Sequence, residues 1–320
     1  MYKIAEYQVG SHLYGTQNEN SDQDFCGVFI ADLDHYFGLK QKDELNESIT
    51  SKDENDKNTK YAVDKKFYEI RKFFKLAMDN NPAIIEHLFV PPDKFNFIHP
   101  EMVDIINNRY HFLHKGLYHR FLGYAYSQKR KMVVKLDKYS DYEYVRNILK
   151  SIPPNKVVYN LEQELKDYIL INKNKEKLIE VGDIKIPMGV TCKKAIDILD
   201  KRFKSLSNRT ELIKKHGFDT KFASHLIRLV MEGIELLKTG NLKFPLQYNY
   251  YIRQIKDGYY SLDDILCKFD ELEKEINYWM ENSILPTHPN REMVNKLLID
   301  ILVKHFYVNI KETGLCQNIL

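Results

Sequence analysis

The chain has almost no net charge: 48 Lys and Arg against 45 Asp and Glu leave +3 over 320 residues. No global field announces a polyanionic partner, so any basic binding surface must be local. Cysteine is scarce and scattered. Cys26, Cys192, Cys267 and Cys316 include no Cys-x-x-Cys pair, which argues against a zinc knuckle. Isolated thiols fit a reducing, cytoplasmic setting. The opening Met-Tyr-Lys-Ile-Ala-Glu lacks a signal-peptide pattern. No window approaches the ~18 consecutive apolar residues of a membrane span, so no membrane partner is expected. No internal repeat is visible. What is present is a 43% hydrophobic composition, which suits a globular chain and excludes dominant disorder. The length allows two domains. The wealth of Lys, Asn, Ile and Tyr fits a coding bias toward A and T rather than a function.

The densest chemistry lies in residues 9–30. An apolar-alternating run leads into Gly10-Ser11, a short turn-and-helix stretch follows, and Asp22-x-Asp24 stands at the mouth of a second apolar run, Phe25 to Ile30. Residues i and i+2 of a strand share a face, so Asp22 and Asp24 aim their carboxylates at one point. Like charges held together are costly unless a cation sits between them. A hard, oxygen-loving ion suits such ligands, hence Mg²⁺ or Mn²⁺. Gly10-Ser11 can open a helix whose free N–H groups face an anion. Metal ligands beside phosphate donors suggest a metal-nucleotide site. The bland alternative, an exposed hairpin loop with solvated carboxylates, leaves Gly10-Ser11 and both apolar flanks unexplained.

Along the chain, residues 2–9, 24–31 and 61–66 read as strands, 11–16 as a short helix or turn, and 33–39 as a short helix or irregular link. Residues 40–60 are polar and charged, and read as a mobile hairpin loop; the functional alternative is a flap over a substrate. From Lys66 the spacing turns helical, with Phe67, Ile70, Phe73, Phe74 and Ala77 near one face. Asn80-Asn81-Pro82 stops that helix, and 83–88 starts another. Residues 101–131 carry one long or two shorter helices. His111, His114 and His119 there are not spaced to share a face, and no acidic partner accompanies them. Tyr118, Tyr124 and Tyr126 interleave with basic residues up to Lys129-Arg130-Lys131; they are either core or a stacking platform for single-stranded nucleic acid. Pro153-Pro154 marks a break. Residues 156–171 read as helix, 181–187 as a small hairpin and 192–214 as helix. Asp219-Thr220 can cap a helix over 221–238 that Gly240 closes. Lys221, Ser224, His225 and Arg228 then share one face, opposite an apolar face of Phe222, Leu226, Leu229, Val230 and Leu237. Glu232 and Glu235 continue the polar stripe as ordinary surface. Two further helices cover 261–281 and 291–306.

Gly-Ser followed by Asp-x-Asp resembles the signature of the DNA polymerase β-like nucleotidyltransferase superfamily. More narrowly, the chain resembles the RNA-repair-associated polymerase-β-like family of bacteria and phages. The likeness rests on Gly10, Ser11, Tyr14, Gly15, Ser21, Asp22, Asp24, Gly27 and Val28, on Asp64 leading a helix, on Asn81-Pro82-Ala-Ile-Ile-Glu86, and on the stretch from Lys221 to Leu229. It covers residues 1–90 closely and 215–265 more loosely. The resemblance implies an α+β fold: a small mixed-sheet nucleotidyltransferase core with helices in residues 1–100, then a mostly helical region, 101–320. It implies that Asp64 joins Asp22 and Asp24 as the third metal carboxylate and catalytic residue, with two Mg²⁺ or Mn²⁺ ions. Gly10 and Ser11 would grip the triphosphate. Lys65 is either a solvated charge or a contact to the triphosphate tail, and Lys221, His225 and Arg228 are either a solvated stripe or a nucleotide-facing one. The implied reaction moves an NMP from an NTP to an acceptor hydroxyl with release of pyrophosphate. The favoured acceptor is an RNA or tRNA end. A protein or small-molecule acceptor stays open, as does a nucleotide- or RNA-binding module without turnover. No helix precedes the first strand, so a second copy of the chain could cover that edge as a homodimer.

Overall fold

A computed structural model describes residues 1–19, 21–49, 51, 61–132, 136–182, 184–201 and 215–312. The chain divides into two compact units, residues 1–128 with 223–320, and residues 129–222.

In the first unit, strand β1 (Tyr2–Gln8), helix α1 (Ser11–Tyr14) and strand β2 (Gln23–Ile30) form the opening hairpin. Helix α2 (Leu33–Phe37), strands β3 (Glu44–Ile49) and β4 (Val63–Glu69), and helices α3 (Ile70–Met78) and α4 (Pro82–His87) follow. Strand β5 (Phe95–Ile98), helix α5 (Pro100–Asn107) and the start of helix α6 (Leu117–Met132) complete its first segment. The five strands form one mixed sheet in the order β3-β4-β2-β1-β5, with β2 and β4 parallel and every other pair antiparallel. The α+β expectation holds, down to the helical region that closes the chain. No helix among the described residues is long and apolar enough to cross a membrane. Cys26, Cys192 and Cys267 are free thiols, and Cys316 lies outside the described residues.

Two departures from the sequence reading have physical reasons. Residues 44–49, read as loop, are an edge strand paired along its length with β4. Its Glu, Asn and Ser content hides it, because an edge strand is protected by polar and charged residues rather than by a buried face. Of the rest of that supposed loop or flap, residues 50 and 52–60 lie outside the described residues. Residues 156–171, read as helix, are instead two 3₁₀ turns (Val158–Leu161 and Lys166–Tyr168) and a short strand. Val158, Leu161 and Leu165 have helical spacing and are buried as such residues should be, but successive turns bury them without a continuous helix.

The second unit has its own core. Helix α7 (Leu136–Leu149), a three-stranded antiparallel sheet of β6 (Ile169–Ile171), β7 (Lys177–Val181) and β8 (Ile184–Pro187), and helix α8 (192–201) contribute to it. Tyr142, Val145, Leu149, Ile179, Val181, Ile186, Cys192, Ala195 and Leu199 are buried together. The expected hairpin at 181–187 is the β7–β8 turn; of the helix expected over 192–214, residues 202–214 lie outside the described residues.

Helix α9 (Thr220–Thr239), helix α10 (Asn249–Asp257), helix α11 (Leu262–Asn282) and helix α12 (Arg291–Glu312) close the chain. Asp219 caps α9 as expected, its Oδ1 accepting from the N–H groups of Lys221 (3.0 Å) and Phe222 (3.1 Å). On α6, Tyr118 donates to Asn277 Oδ1 at 2.6 Å, whereas Tyr124, whose hydroxyl accepts from Asn81 Nδ2 at 3.1 Å, and Tyr126, whose hydroxyl meets Glu273 with its ring 5.4 Å from Phe269, stay exposed.

Gly27 explains one motif position. It sits in β2 between β1 and β4, and a Cβ there would stand 2.2 Å from the Ala5 carbonyl oxygen and 2.5 Å from the Phe67 ring. A backbone carbonyl inside a sheet cannot yield as a flexible side chain can. Gly27→Ala should lower the unfolding free energy by roughly 2–3 kcal/mol, read as a lower urea midpoint at unchanged slope.

His87 makes a second prediction. The ring is buried on α4, 5.2 Å from Tyr7, edge-on, and stacked 6.5 Å from Phe73. Burial pushes its pKa down to about 4. Between pH 6.5 and 4 the unfolded chain therefore binds a proton that the folded chain refuses. Stability from this group is full above the unfolded pKa and is lost as pH falls through that window, by about 3 kcal/mol. His87→Phe should flatten the acid limb of a stability-against-pH curve by about that amount; an unchanged slope would remove His87 from the account.

Candidate active site

The site begins where β1 runs out. The Val9 N–H donates to the Asp24 carbonyl at 2.9 Å, carrying the β1–β2 ladder one step past the strand. Gly10 then turns the chain at φ +65°. Its α-carbon lies so close to Asp24 that a Cβ would stand 2.5 Å from Asp24 Oδ2. Left-handed φ and this close approach both require glycine here. The N–H groups of Leu13 and Tyr14 both return to the Gly10 carbonyl at 3.1 Å, making α1, and Gly15 ends it in the left-handed region.

A second turn delivers the acidic pair. The Ser21 N–H donates to the Asn18 carbonyl at 3.1 Å, and the Asn18 N–H to Ser21 Oγ at 2.9 Å. Asp22 follows, half-buried and one residue ahead of β2. The Gln23 N–H then reaches the Ala62 carbonyl at 3.1 Å, so β2 meets β4 as soon as it begins. In that parallel pairing Asp24 stands directly opposite Asp64. Paired strands lie about 4.8 Å apart, and register partners face the same side. The two carboxylates therefore rise side by side, Asp24 half-buried and Asp64 exposed.

Cys26 and Lys66 are the next pair on that face, followed by Val28 and Tyr68. Burial pushes the Cys26 thiol up to about 12, which leaves it protonated and inert. Lys66 Nζ lies 3.1 Å from Glu44 and 4.7 Å above the Tyr68 ring. Lys65, the residue singled out from the sequence, points to the opposite face. Its ammonium donates to Glu6 Oε1 at 2.8 Å, and Asn96 Nδ2 donates to the same oxygen at 2.7 Å. Burial would raise the Glu6 carboxyl, but these two hydrogen bonds and the Lys65 charge hold it below its usual value. Strand alternation could have shown that Asp64 and Lys66 share a side and Lys65 does not.

Lys221, His225 and Arg228 occupy one face of α9, but their surroundings differ. Lys221 belongs to the second unit and is exposed; His225 is half-buried; Arg228 is 7% exposed. Arg228 Nη1 donates to Glu86 Oε1 at 2.6 Å and to Glu232 Oε1 and Oε2 at 2.7 and 2.9 Å. Its guanidinium lies 4.0 Å from the Tyr14 ring centroid, and the Tyr14 hydroxyl donates to Glu86 Oε2 at 2.5 Å. Glu232 was expected at the surface and is instead fully buried. The i, i+4 spacing was legible; what it pairs with, and how deeply, depends on Glu86, far away in sequence. Burial pushes the Glu232 carboxyl well up, Arg228 pulls it down and Glu86 pushes it up again. One guanidinium facing two buried carboxylates leaves one negative charge uncompensated. The upward push on the Glu232 carboxyl favours its neutral form, which relieves that charge.

Among the described residues no group of three His, Cys, Asp or Glu side chains is gathered so that it could hold a metal ion, Asp22, Asp24 and Asp64 included. Mg²⁺ in phosphate chemistry does not need such a group, since one or two carboxylates hold it while phosphate oxygens and water complete the shell. Asp24 and Asp64, oxygen donors matched in register beside a close backbone turn, fit that requirement.

Comparison with known proteins gives the site a context. Residues 4–162 match the family model RlaP, the RNA repair pathway DNA polymerase beta family. The chain is 28% identical over 298 residues to the uncharacterized 38.9 kDa protein in the nrdC-mobD intergenic region of Enterobacteria phage T4, an alignment covering 81% of this chain and 83% of the phage protein. No solved structure matches the chain.

Proposed function

Because the chain belongs, through residues 4–162, to the RNA repair pathway DNA polymerase beta family, we propose that it transfers a nucleoside monophosphate from an NTP to a hydroxyl at an RNA end. The observation that carries this reading is the register match of Asp24 with Asp64, with Gly10 packed against the Asp24 carboxylate. Asp22, Asp24 and Asp64 would hold two Mg²⁺ or Mn²⁺ ions. Such ions, when bound, neutralise phosphate charge and lower the pKa of the attacking hydroxyl. Asp64, the most exposed of the three carboxylates, would face the acceptor and take its proton. The Gly10-Ser11 backbone and the Ser11 hydroxyl would grip the triphosphate. Lys66, on the carboxylate face, is better placed than Lys65 to add positive charge there. The acceptor oxygen attacks the α-phosphorus in line, the bond between that phosphorus and the α–β bridging oxygen breaks, and pyrophosphate leaves.

Incubating the chain with total RNA, Mg²⁺ or Mn²⁺ and each α-phosphate-labelled nucleotide in turn tests this. Label in RNA supports the reading and reports the preferred base. Pyrophosphate without label in RNA moves the acceptor to a protein or metabolite. No turnover with any nucleotide overturns transfer and leaves a binding module.

A further inference from the structure

Tyr14, Glu86 and Arg228 are far apart in sequence yet meet in one buried cluster. Tyr14 ends α1, Glu86 lies on α4, and Arg228 and Glu232 lie one turn apart on α9. Glu86, Arg228 and Glu232 are buried, which is costly for charged groups unless every partner is present. Nothing in the transfer chemistry above uses them.

Through Tyr14 the cluster holds the turn from Gly10 to Gly15. The Tyr14 hydroxyl is tied to Glu86, and the Tyr14 ring carries the Arg228 guanidinium on its face. The Tyr14 carbonyl accepts from the Leu246 N–H at 3.2 Å. Gly15 presses on the same segment so closely that a Cβ would stand 2.9 Å from Pro245 and 3.0 Å from Asn249 Nδ2. At its other end the turn presents Gly10 to Asp24. The turn is therefore fixed at both ends, and only its front end faces the acidic pair.

We infer that Tyr14, Glu86, Arg228 and Glu232 are positioning residues that hold the Gly10–Gly15 turn against Asp24. On the transfer reading proposed above, what they position is the grip on the triphosphate. A four-residue helix has too few internal hydrogen bonds to hold its own place, so its geometry must be imposed by what it is tied to. A displacement of about 1 Å in such a contact is enough to cost ~100-fold in rate.

Two readouts on Tyr14→Phe and Arg228→Lys test this. Phe keeps the ring and loses the hydroxyl tie; Lys keeps the charge and loses the planar fork. Amide hydrogen exchange should accelerate roughly 10- to 100-fold at Leu13, Tyr14, Thr16 and Leu246 in both variants, with β2 and β4 amides unchanged. Labelled-nucleotide transfer should show KM for the NTP rising about 10-fold with a smaller fall in kcat, and Arg228→Lys should suffer more than Tyr14→Phe. Unchanged exchange at 13–16 in both variants overturns the positioning role, whatever the activity does. Faster exchange at the turn in both variants, when the parent chain itself transfers nothing, upholds the clamp and discards the transfer reading, so the two failures are told apart. Loss of protection throughout the sheet in Arg228→Lys, with Tyr14→Phe showing parent-like exchange at the turn, also overturns it, since the cluster would then serve the core alone.

Discussion

Asp24→Asn should reduce nucleotidyl transfer by at least ~10³-fold while leaving the chain folded. The substitution changes no shape. The Asp24 backbone still accepts from the Val9 N–H and still pairs across β2–β4, and an amide fits the space against Gly10 that a carboxylate oxygen fills. What disappears is the negative charge at the one position where the turn and both strands converge. A neutral amide oxygen remains a weak metal ligand, so nucleotide affinity should fall less than the rate. Single-turnover transfer with saturating labelled NTP measures the chemical step, and the urea midpoint, expected within about 0.5 kcal/mol of the parent, checks the fold. A rate within 10-fold of the parent would mean that Asp24 does not contribute to the reaction. Asp64→Asn then serves as comparison. Its side chain is exposed where Asp24 is half-buried, so solvent can replace part of what it supplies, and its loss should be smaller than that of Asp24.

How much of this was legible in the sequence depends on the distance over which each feature is decided. The β1–β2 hairpin, the Gly10 turn and the capping Asp219 are local, and they are where alternation and turn chemistry place them. The facing of Asp24 and Asp64 needed one further step, the parallel pairing of β2 with β4, which no local pattern dictates. Lys65 shows the opposite case: adjacency to Asp64 drew attention to it, whereas the two-residue period of a strand sends neighbours to opposite faces. Arg228 and Glu232 show where local reading ends. On α9 alone they look like a solvated i, i+4 pair. Their burial follows from Glu86 and Tyr14, contributed by α4 and α1, and a single helix cannot announce what will be laid against it. β3 was hidden for another reason, because an edge strand keeps polar residues on purpose.

The same cluster carries the largest expected effect on stability. Arg228→Met should cost about 3–5 kcal/mol at pH 7, the penalty for leaving buried carboxylates without their cation. The parent cluster holds one guanidinium against Glu86 and Glu232, both buried. Without Arg228 a further proton must be taken up or a charge left bare. A carboxyl whose folded pKa lies above its unfolded value contributes stability below the unfolded pKa and loses it as pH rises through the folded one. Glu232 is already raised by burial, and removing the Arg228 charge that pulls it down raises it further. The gap between variant and parent should therefore shrink on acidification, by roughly 1.4 kcal/mol per pH unit for each extra proton held, between neutral pH and about pH 5. Comparing variant with parent at each pH cancels the His87 contribution, which both share. Adding Glu86→Gln and Glu232→Gln to Arg228→Met removes both uncompensated carboxylates, and this triple variant should recover at least half of the loss at pH 7. Urea midpoints from pH 5 to 8 measure all of this. A gap that stays constant with pH would mean that the cost of Arg228→Met is lost packing over the Tyr14 ring, in which case the charge account fails and the triple variant would recover nothing.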